Sequence, residues 1–324
     1  MQSSPADLVK EALEGSIRAV ARLISMVENS HPQAESALTA LYPHIGRAVV
    51  IGISGPLGSG KSTLVDKLAV EYCKQGKTVG IIAVDPSSPF TGGAFLGDRY
   101  RMNRAACEQN IFIRSLGARG QMGGLSRAVS DVIKILDAFG KDVILVETLG
   151  TGQDEVDIKN VADTTVIVQA PGLGDYIQTL KAGMMEIGDI YVVNKAESIE
   201  ADNLHANIQS AIDMGNQRGS WIPPVLKTIA TRGDGISDCL RTIDEHIQHL
   251  KNEGFYAQRQ SERVRLEVIK MIKDKLSQTV DTIIIRNGAF DEAVRQIIEK
   301  KVEPYSYVTK VIGSILNPSL TEGK

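Results

Sequence analysis

The sequence has few of the features that would assign it to a disulfide-rich or nucleic-acid-binding class. It has three cysteines in 324 residues, at positions 73, 107 and 239, and a net charge of only −3 at pH 7. An odd number of widely spaced cysteines excludes a disulfide framework and a Cys-x-x-Cys metal site, and fits a reducing compartment. Without a basic excess, nothing in the charge points to nucleic acid or to an anionic membrane surface.

Long apolar stretches are also missing. No run approaches the roughly 18 residues that a membrane-spanning helix needs. The N-terminal segment carries Asp7, Glu11, Glu14 and Glu28, which is unlike a secretory or organellar presequence. With 43% hydrophobic and 23% charged residues, the composition is that of an ordinary globular protein. We therefore expect a cytoplasmic protein that binds neither membrane nor nucleic acid.

What the chain does contain is a series of short, β-branched, nearly continuous apolar runs. Such runs are typical of parallel strands that are buried on both faces, and helical stretches lie between them. This alternation predicts an α/β fold with a doubly wound, mainly parallel sheet. The predicted strands are residues 48–54, 78–85, 142–148, 164–170, 189–194 and 223–230.

Helical patterns flank this region on both sides. Apolar spacing predicts one amphipathic helix over about 6–27 and a short one over 35–42. After the last strand, helices are expected at 235–252, 256–280 and 289–301. The expected organisation is an N-terminal helical extension (1–45), a nucleotide-binding domain (46–252) and a C-terminal helical arm (253–324).

The helix at 256–280 carries an apolar stripe, formed by Leu266, Ile269, Ile272 and Leu276. Such a stripe can face the protein's own core, or it can serve as an oligomerisation surface, because the helical tail follows a completed sheet. Both interpretations stay open from the sequence.

A complete Walker A pattern follows the first predicted strand. In "GISGPLGSGKSTL", Gly55 is followed by four residues and then by Gly60-Lys61-Ser62. Glycines let backbone N–H groups wrap phosphates, Lys61 can reach the β and γ oxygens, and the Ser62 hydroxyl can ligate Mg²⁺. The pattern predicts a nucleoside triphosphate site formed by Gly55, Pro56, Gly58, Ser59, Gly60, Lys61, Ser62 and Thr63.

Three acids are candidates for holding Mg²⁺. Asp85 and Glu147 end predicted strands, and Asp98 lies in the loop between them. Carboxylates at the carboxyl edge of an open α/β sheet lie where ligands bind, and Mg²⁺ prefers oxygen ligands. For Asp85, capping of the next helix is an alternative.

The segment "ETLG" has the form of the GTPase Asp-x-x-Gly switch, with Glu147 in the acidic position. Gly150 is then the residue whose N–H senses the γ-phosphate. Gln153 is a candidate for orienting the attacking water, with an exposed loop glutamine as the alternative.

The segment "NKAE" resembles the guanine-reading pattern Asn-Lys-x-Asp, with Glu197 in the last position after Asn194 and Lys195. A carboxylate there accepts hydrogen bonds from two guanine donors that adenine lacks. Glutamate offers the same two oxygens on a longer stem. We expect GTP preference, with looser discrimination or affinity than aspartate would give.

Several segments together resemble the MeaB/ArgK family. They are "DPSSPFTGGAFLGDRYRM", "ETLGTGQDE", "PGLGDYIQTLKAG" and "NKAE", and the likeness extends over most of the chain. Members are P-loop GTPases of the signal-recognition-particle-like class. They act as chaperones of adenosylcobalamin-dependent acyl-CoA mutases and include the methylmalonic aciduria type A protein.

The resemblance implies particular roles. Asp85, Asp98 and Glu147 would serve Mg²⁺ and the switches, and residues 172–181 would form a further switch facing the mutase. Residues 228–231, with Thr228 and Ala230, would close over the base. The C-terminal helices would form a homodimer. Hydrolysis of GTP to GDP would be slow until a partner completes the site.

Two alternatives come from other classes. Related metal-delivery GTPases usually carry clustered cysteines or a histidine-rich tract, whereas this chain has five scattered histidines. A P-loop kinase or ATPase linked to amino-acid transport is the main rival, although no acceptor-substrate site is visible in the sequence.

Overall fold

A computed structural model of the chain describes residues 4–85, 110–117, 127–150, 154–173, 183–215, 220–286 and 289–316. Within them, seven parallel strands form one sheet in the order β3-β2-β4-β1-β5-β6-β7. The predicted doubly wound α/β fold is confirmed. The strands are β1 (Val49–Ser54), β2 (Val79–Asp85), β3 (Ile111–Gly117), β4 (Val143–Glu147), β5 (Thr164–Gln169), β6 (Ile190–Val193) and β7 (Val225–Lys227).

Helices cover both faces of the sheet, which explains why the strands are apolar throughout. On one face, Ile51 and Ile53 of β1 share a buried cluster with Leu64 and Ile243. On the other face, Val50 belongs to a second buried cluster, formed with helices that do not contribute to the first. The helices are α1 (Pro5–Leu13), α2 (Ile17–Glu28), α3 (Ala34–Leu41), α4 (Lys61–Lys74), α5 (Arg127–Ala138), α6 (Asp154–Asp157), α7 (Met185–Ile187), α8 (Ala201–Met214), α9 (Ile236–Asn252), α10 (Phe255–Arg286), α11 (Ala289–Ile298) and α12 (Pro304–Leu316).

The single helix predicted over 6–27 is wrong, because two helices meet there. Gly15 has φ +96°, a left-handed conformation that ends α1, and Ser16 then caps α2 through a bond from the Ala19 N–H to its hydroxyl (3.3 Å). Most apolar positions nevertheless face inward in both helices, since Leu8 and Leu23 are buried in the same cluster, whereas Leu13 and Ile17 at the break are exposed. The expected short helix is present as α3.

Strand β3 was not predicted. It pairs with β2 at the outer edge of the sheet, and its central Arg114 interrupts the apolar pattern. The Arg114 guanidinium donates to Glu28 (2.7 Å) and to the Ser25 hydroxyl (3.1 Å), both on α2. The charge is thus paired, so a strand with an arginine at its centre can pack under a helix.

The chain divides into two compact units, Met1–Arg259 and Gln260–Lys324. The first contains the N-terminal helices and the sheet. The second contains most of α10 together with α11 and α12, of which α12 was not predicted. In the single chain, the stripe residues of α10 are 43–54% exposed, so the core-facing interpretation is wrong. Among the described residues, no helix combines the length and apolarity required to cross a membrane.

Candidate nucleotide-binding site

The loop after β1 approaches its neighbours so closely that only glycine fits at two positions. A Cβ on Gly55 would lie 2.0 Å from the Val168 carbonyl oxygen of β5, and Gly55 has φ +140°. A Cβ on Gly60 would lie 2.2 Å from Nδ2 of Asn194, and Gly60 has φ +91°. The spacing of the Walker A glycines therefore follows from contacts with the two strands beyond β1.

Lys61 begins α4 at the end of this loop. Its side chain is buried, and Nζ donates to the carbonyl oxygens of Gly55 (2.9 Å) and Pro56 (3.2 Å). The N-cap residue of α4 is Gly60, so no side chain caps the first turn. An ammonium group and the positive end of a helix dipole therefore lie beside a glycine-rich loop, which suits the phosphates of a nucleotide.

Ser62 and Glu147 are brought together as the sequence predicted. The Ser62 hydroxyl donates to Oε1 of Glu147 at 2.6 Å, and Glu147 is buried at the end of β4. Two hard oxygen ligands at this spacing suit Mg²⁺. Asp85 ends β2 at the same edge, but its side chain is not among those described. Asp98 and Gln153 lie outside the described residues.

The turn after β4 lies against the phosphate-binding loop. Gly150 has φ +88°, and a Cβ there would lie 2.7 Å from the Gly55 oxygen and 2.8 Å from both the Leu57 nitrogen and Lys61 Nζ. This glycine is the third residue after Glu147. The position that the sequence predicts for γ-phosphate sensing is thus adjacent to the Lys61 ammonium group.

Asn194 connects three loops at the other side of the site. It is buried, and its Nδ2 donates to the Ser59 carbonyl oxygen (2.9 Å). Its Oδ1 accepts from the Thr228 hydroxyl and from the Ala230 N–H, each at 3.1 Å. Lys195, with φ +59°, and Glu197 follow with exposed side chains. The structure therefore brings three of the candidate base-binding residues, Asn194, Thr228 and Ala230, together beside the phosphate-binding loop.

Two features of the site were missed from the sequence. The Thr148 hydroxyl, next to Glu147, donates to the Ser54 hydroxyl at 3.2 Å, and both residues are buried. Ser59 is also fully buried, and its Oγ has no hydrogen-bond partner within the described part of the chain. The sequence contained a signal for the first feature, since the predicted strands 48–54 and 142–148 each end in a hydroxyl residue.

A second buried polar cluster lies at the other end of the strands from the nucleotide site, where β5 and β6 begin. Asp189 accepts hydrogen bonds from the Thr165 N–H (2.9 Å) and from both terminal nitrogens of Arg259 (2.9 and 3.2 Å). His246 Nε2 lies 3.4 Å from Asp189, and its Nδ1 lies 2.8 Å from the Thr164 hydroxyl. Thr164 and His246 are fully buried, so this Thr–His–Asp arrangement has no access to a substrate.

This second cluster strongly favours the ionised form of Asp189. Burial alone raises the pKa of its carboxyl group, but the neighbouring His246 and Arg259 outweigh that effect and lower the pKa to about 2. The cluster connects β5, β6, α9 and the beginning of α10 within the first unit. Its role is therefore structural.

A parallel sheet with a Walker A loop after its first strand and an Asn-Lys pair after its sixth defines a P-loop nucleotide-binding protein of the GTPase class. The chain belongs to the MeaB family. The family model, described as "Methylmalonyl Co-A mutase-associated GTPase MeaB", matches residues 20–283. The chain is accordingly a GTPase that binds guanine nucleotides.

Individual relatives agree with this assignment. A putative GTPase of Pyrococcus abyssi is 44% identical, over 97% of this chain and 98% of the relative. The GTPase ArgK of Escherichia coli K12 is 30% identical, over 92% of this chain and 91% of the relative. Among solved structures, "Crystal structure of LAO/AO transport system kinase" matches with a TM-score of 0.71 and 22% identity, covering 98% and 99% of the two chains. At that identity the match supports the fold alone.

Proposed function

We propose that this protein is a GTP-dependent chaperone of an adenosylcobalamin-dependent acyl-CoA mutase. In this role it gates loading of the cofactor onto the mutase, and protects or reactivates the enzyme. The family description, which names a methylmalonyl-CoA mutase, supports a partner of this class. The partner can be methylmalonyl-CoA mutase or a relative such as 2-hydroxyisobutyryl-CoA mutase.

One observation carries the proposal for a switch. Gly150 lies against Lys61 Nζ and the Gly55 oxygen, and it is three residues from Glu147. A γ-phosphate near Lys61 would therefore meet the turn after β4, whereas GDP would not reach it. A nucleotide shifts a conformational equilibrium only through its differential affinity for the two states. The proposed difference between GTP and GDP is located at this turn.

Each group in the site has a proposed role. Backbone N–H groups of Gly55 and of residues 57–63, with the α4 N-terminus, bind phosphate oxygens, and Lys61 neutralises charge on the β and γ groups. Ser62 and Glu147 would hold Mg²⁺, together with Asp85 and Asp98, and the bound ion would offset phosphate charge. Asn194, Lys195, Glu197, Thr228 and Ala230 bind guanine, and Gln153 orients water.

The hydrolysis reaction determines which charges the residues of the site must stabilise. Water attacks the γ-phosphorus, the bond from that phosphorus to the bridging oxygen breaks, and GDP leaves with the bonding electrons. Lys61 and the α4 N-terminus stabilise the negative charge that spreads over the departing phosphoryl group. We expect slow turnover for the protein alone and faster turnover when a partner completes the site.

The proposal is tested by GTP hydrolysis and by coupling to a mutase. Purified wild-type protein should release phosphate from GTP faster than Lys61→Ala, and a cognate mutase should increase that difference. Lys61→Arg is a matched control, because it keeps a cation but not the ammonium geometry. If wild type and Lys61→Ala hydrolyse GTP equally, with or without candidate mutases, the proposal is wrong.

A P-loop kinase linked to amino-acid transport is a second candidate, which the sequence analysis left open; a solved structure of the same fold is titled as a transport system kinase. A kinase transfers the γ-phosphoryl group to an acceptor, whereas a GTPase transfers it to water. Incubation with radiolabelled GTP and ATP and a panel of basic amino acids separates the two. Labelled phosphate without labelled acceptor supports the switch, and stoichiometric acceptor labelling supports the kinase.

A further inference from the structure

We infer that Thr148 is a positioning residue for the nucleotide site, acting through its hydroxyl bond to Ser54. The inference rests on the proposed function and adds a residue to it. Thr148 lies between Glu147, the candidate magnesium ligand, and Gly150, the candidate contact for the γ-phosphate. An interaction that fixes the position of Thr148 therefore restrains Glu147, directly before it, and Gly150, two residues after it.

Two bonds attach Thr148 to the end of β1. Its backbone N–H donates to the Ile53 oxygen at 3.0 Å, which continues the pairing of β1 with β4 by one residue. Its side-chain hydroxyl donates to Ser54 Oγ at 3.2 Å. Ser54 is directly followed by Gly55, so the hydroxyl pair joins the first residue after β4 to the last residue of β1, immediately before the phosphate-binding loop.

The surroundings make this hydroxyl pair specific. Thr148 is 1% exposed and Ser54 is fully buried. Burying a hydroxyl costs free energy unless it is hydrogen-bonded, and valine would fill the threonine site with nearly the same shape. Apolar packing alone therefore does not explain why two hydroxyl groups occupy these buried positions. It does define the relative position of two strand ends, because a hydrogen bond is directional and apolar contact is not.

The consequence differs between the two nucleotides. The groups proposed to hold the α- and β-phosphates lie on the loop after β1 and on α4, not on the turn after β4. Glu147 and Gly150 lie on that turn, and both are proposed to act on the metal and the γ-phosphate. Loosening Thr148 should therefore weaken binding of the triphosphate more than binding of GDP.

The test measures binding of GDP and of guanosine 5′-[β,γ-imido]triphosphate, with MgCl₂, to the full chain. Thr148→Val should weaken the triphosphate analogue about tenfold and GDP less than about twofold, the size expected for one lost buried hydrogen bond. Thr148→Ser keeps the hydroxyl and should restore the wild-type ratio of the two affinities. Ser54→Ala should reproduce the Thr148→Val ratio, and the double variant should be no worse than either single one.

Thr164→Val is the matched control. Thr164 is also a buried, hydrogen-bonded threonine of the same sheet, but its hydroxyl bonds to His246 at the other end of the strands (2.8 Å). It should lower thermal stability without changing the ratio of the two nucleotide affinities. A general loss of packing would affect both threonine sites alike, so the ratio separates positioning from stability.

The outcomes are separable. An unchanged ratio in Thr148→Val, or a Thr148→Ser variant that behaves like Thr148→Val, overturns the inference while leaving the GTPase proposal intact. If Thr148→Val does not fold, Ser54→Ala decides by the same ratio. If wild type binds neither nucleotide more tightly than Lys61→Ala does, the proposed function fails, and this inference fails with it.

Discussion

The buried hydroxyl group of Ser59 lowers the stability of the folded protein. Its backbone oxygen accepts from Asn194, while its hydroxyl is fully buried and lacks a hydrogen-bond partner within the described part of the chain. A desolvated, unpaired hydroxyl costs on the order of 1–3 kcal/mol.

Ser59→Ala should therefore raise the free energy of unfolding by about 1 kcal/mol. Ser25→Ala is the matched control, because the Ser25 hydroxyl accepts from Arg114 (3.1 Å) and donates to the Ala21 oxygen (3.0 Å), so its removal should lower stability. Urea denaturation at constant m-value measures both. A destabilised Ser59→Ala would mean that the hydroxyl has a partner after all.

Glu197 permits a prediction about the base. The side chain is exposed in the loop after Asn194. If it reads guanine with a longer stem than aspartate, ATP should compete for the site at least a hundredfold more weakly than GTP, about what a lost pair of hydrogen bonds costs. Glu197→Asp should tighten GDP binding.

Competition binding with fluorescent GDP tests the Glu197 prediction. Glu200→Asp, a similar change at an exposed position nearby, should leave GDP affinity unaltered. Equal competition by ATP and GTP, with no gain from Glu197→Asp, would count against guanine reading by this residue.

At the residue scale, much of the candidate site follows from the sequence, because its chemistry depends on fixed spacing. The Walker A loop, Glu147 and Asn194 can all be located at strand ends from the residue pattern alone. The contact between Gly60 and Asn194 cannot, since it joins residues far apart in the chain. The orientation of the Thr148 hydroxyl toward Ser54 likewise depends on the register between β1 and β4.

The elements differ in how clearly the sequence shows them. Strands buried on both faces are recognisable as continuous apolar runs, whereas the edge strand β3 contains Arg114, whose charge is paired with Glu28 of α2. The break between α1 and α2 depends on the left-handed backbone of Gly15, which apolar periodicity does not detect. Helix α12 begins at Pro304, a residue that can start a helix as well as end one.

The start of α10 supports a prediction about acid stability. Arg259, in the first turns of that helix, donates to Asp189, whose folded pKa of about 2 is below its ordinary value of about 3.9. Because the folded pKa is lowered, the stabilisation is fully present above about pH 4 and is lost as the pH falls toward 2.

Asp189→Asn should lower the free energy of unfolding at pH 7 by about 2 kcal/mol and flatten its decline between pH 4 and 2. Asp238→Asn is the control, because Asp238 pairs with Arg241 (2.9 Å) with both side chains more than half exposed, and should change stability little. Thermal unfolding across this pH range measures the effect. A steep decline retained by Asp189→Asn would assign the acid sensitivity to other groups.

At the scale of the whole molecule, the stripe on α10 is a row of exposed apolar side chains in the second unit. Leu266, Ile269, Ile272 and Leu276 are each about half exposed in the single chain. Apolar side chains in a row on one helix suit burial against another protein surface. We propose that a second copy of the chain covers them in a homodimer.

Ile272→Lys should shift sedimentation from dimer to monomer, because it places a charge within the buried stripe. Ser277→Lys adds the same charge five residues further along the helix, at an exposed position outside the stripe, and should leave the dimer intact. Analytical ultracentrifugation with GDP and without nucleotide provides the measurement. A wild-type protein that sediments as a monomer in both conditions would exclude the proposed dimer.

The single amide of Asn194 limits how this GTPase can be re-engineered. Its oxygen and nitrogen bond to Ser59, Thr228 and Ala230, so a change made there to admit a synthetic base would also disturb the loop proposed to bind the phosphates. Glu197 forms no such bridge among the described contacts and is exposed. An orthogonal variant for chemical genetics, designed to use a nucleotide analogue that cellular GTPases ignore, should therefore be sought by varying position 197 while Asn194 is kept.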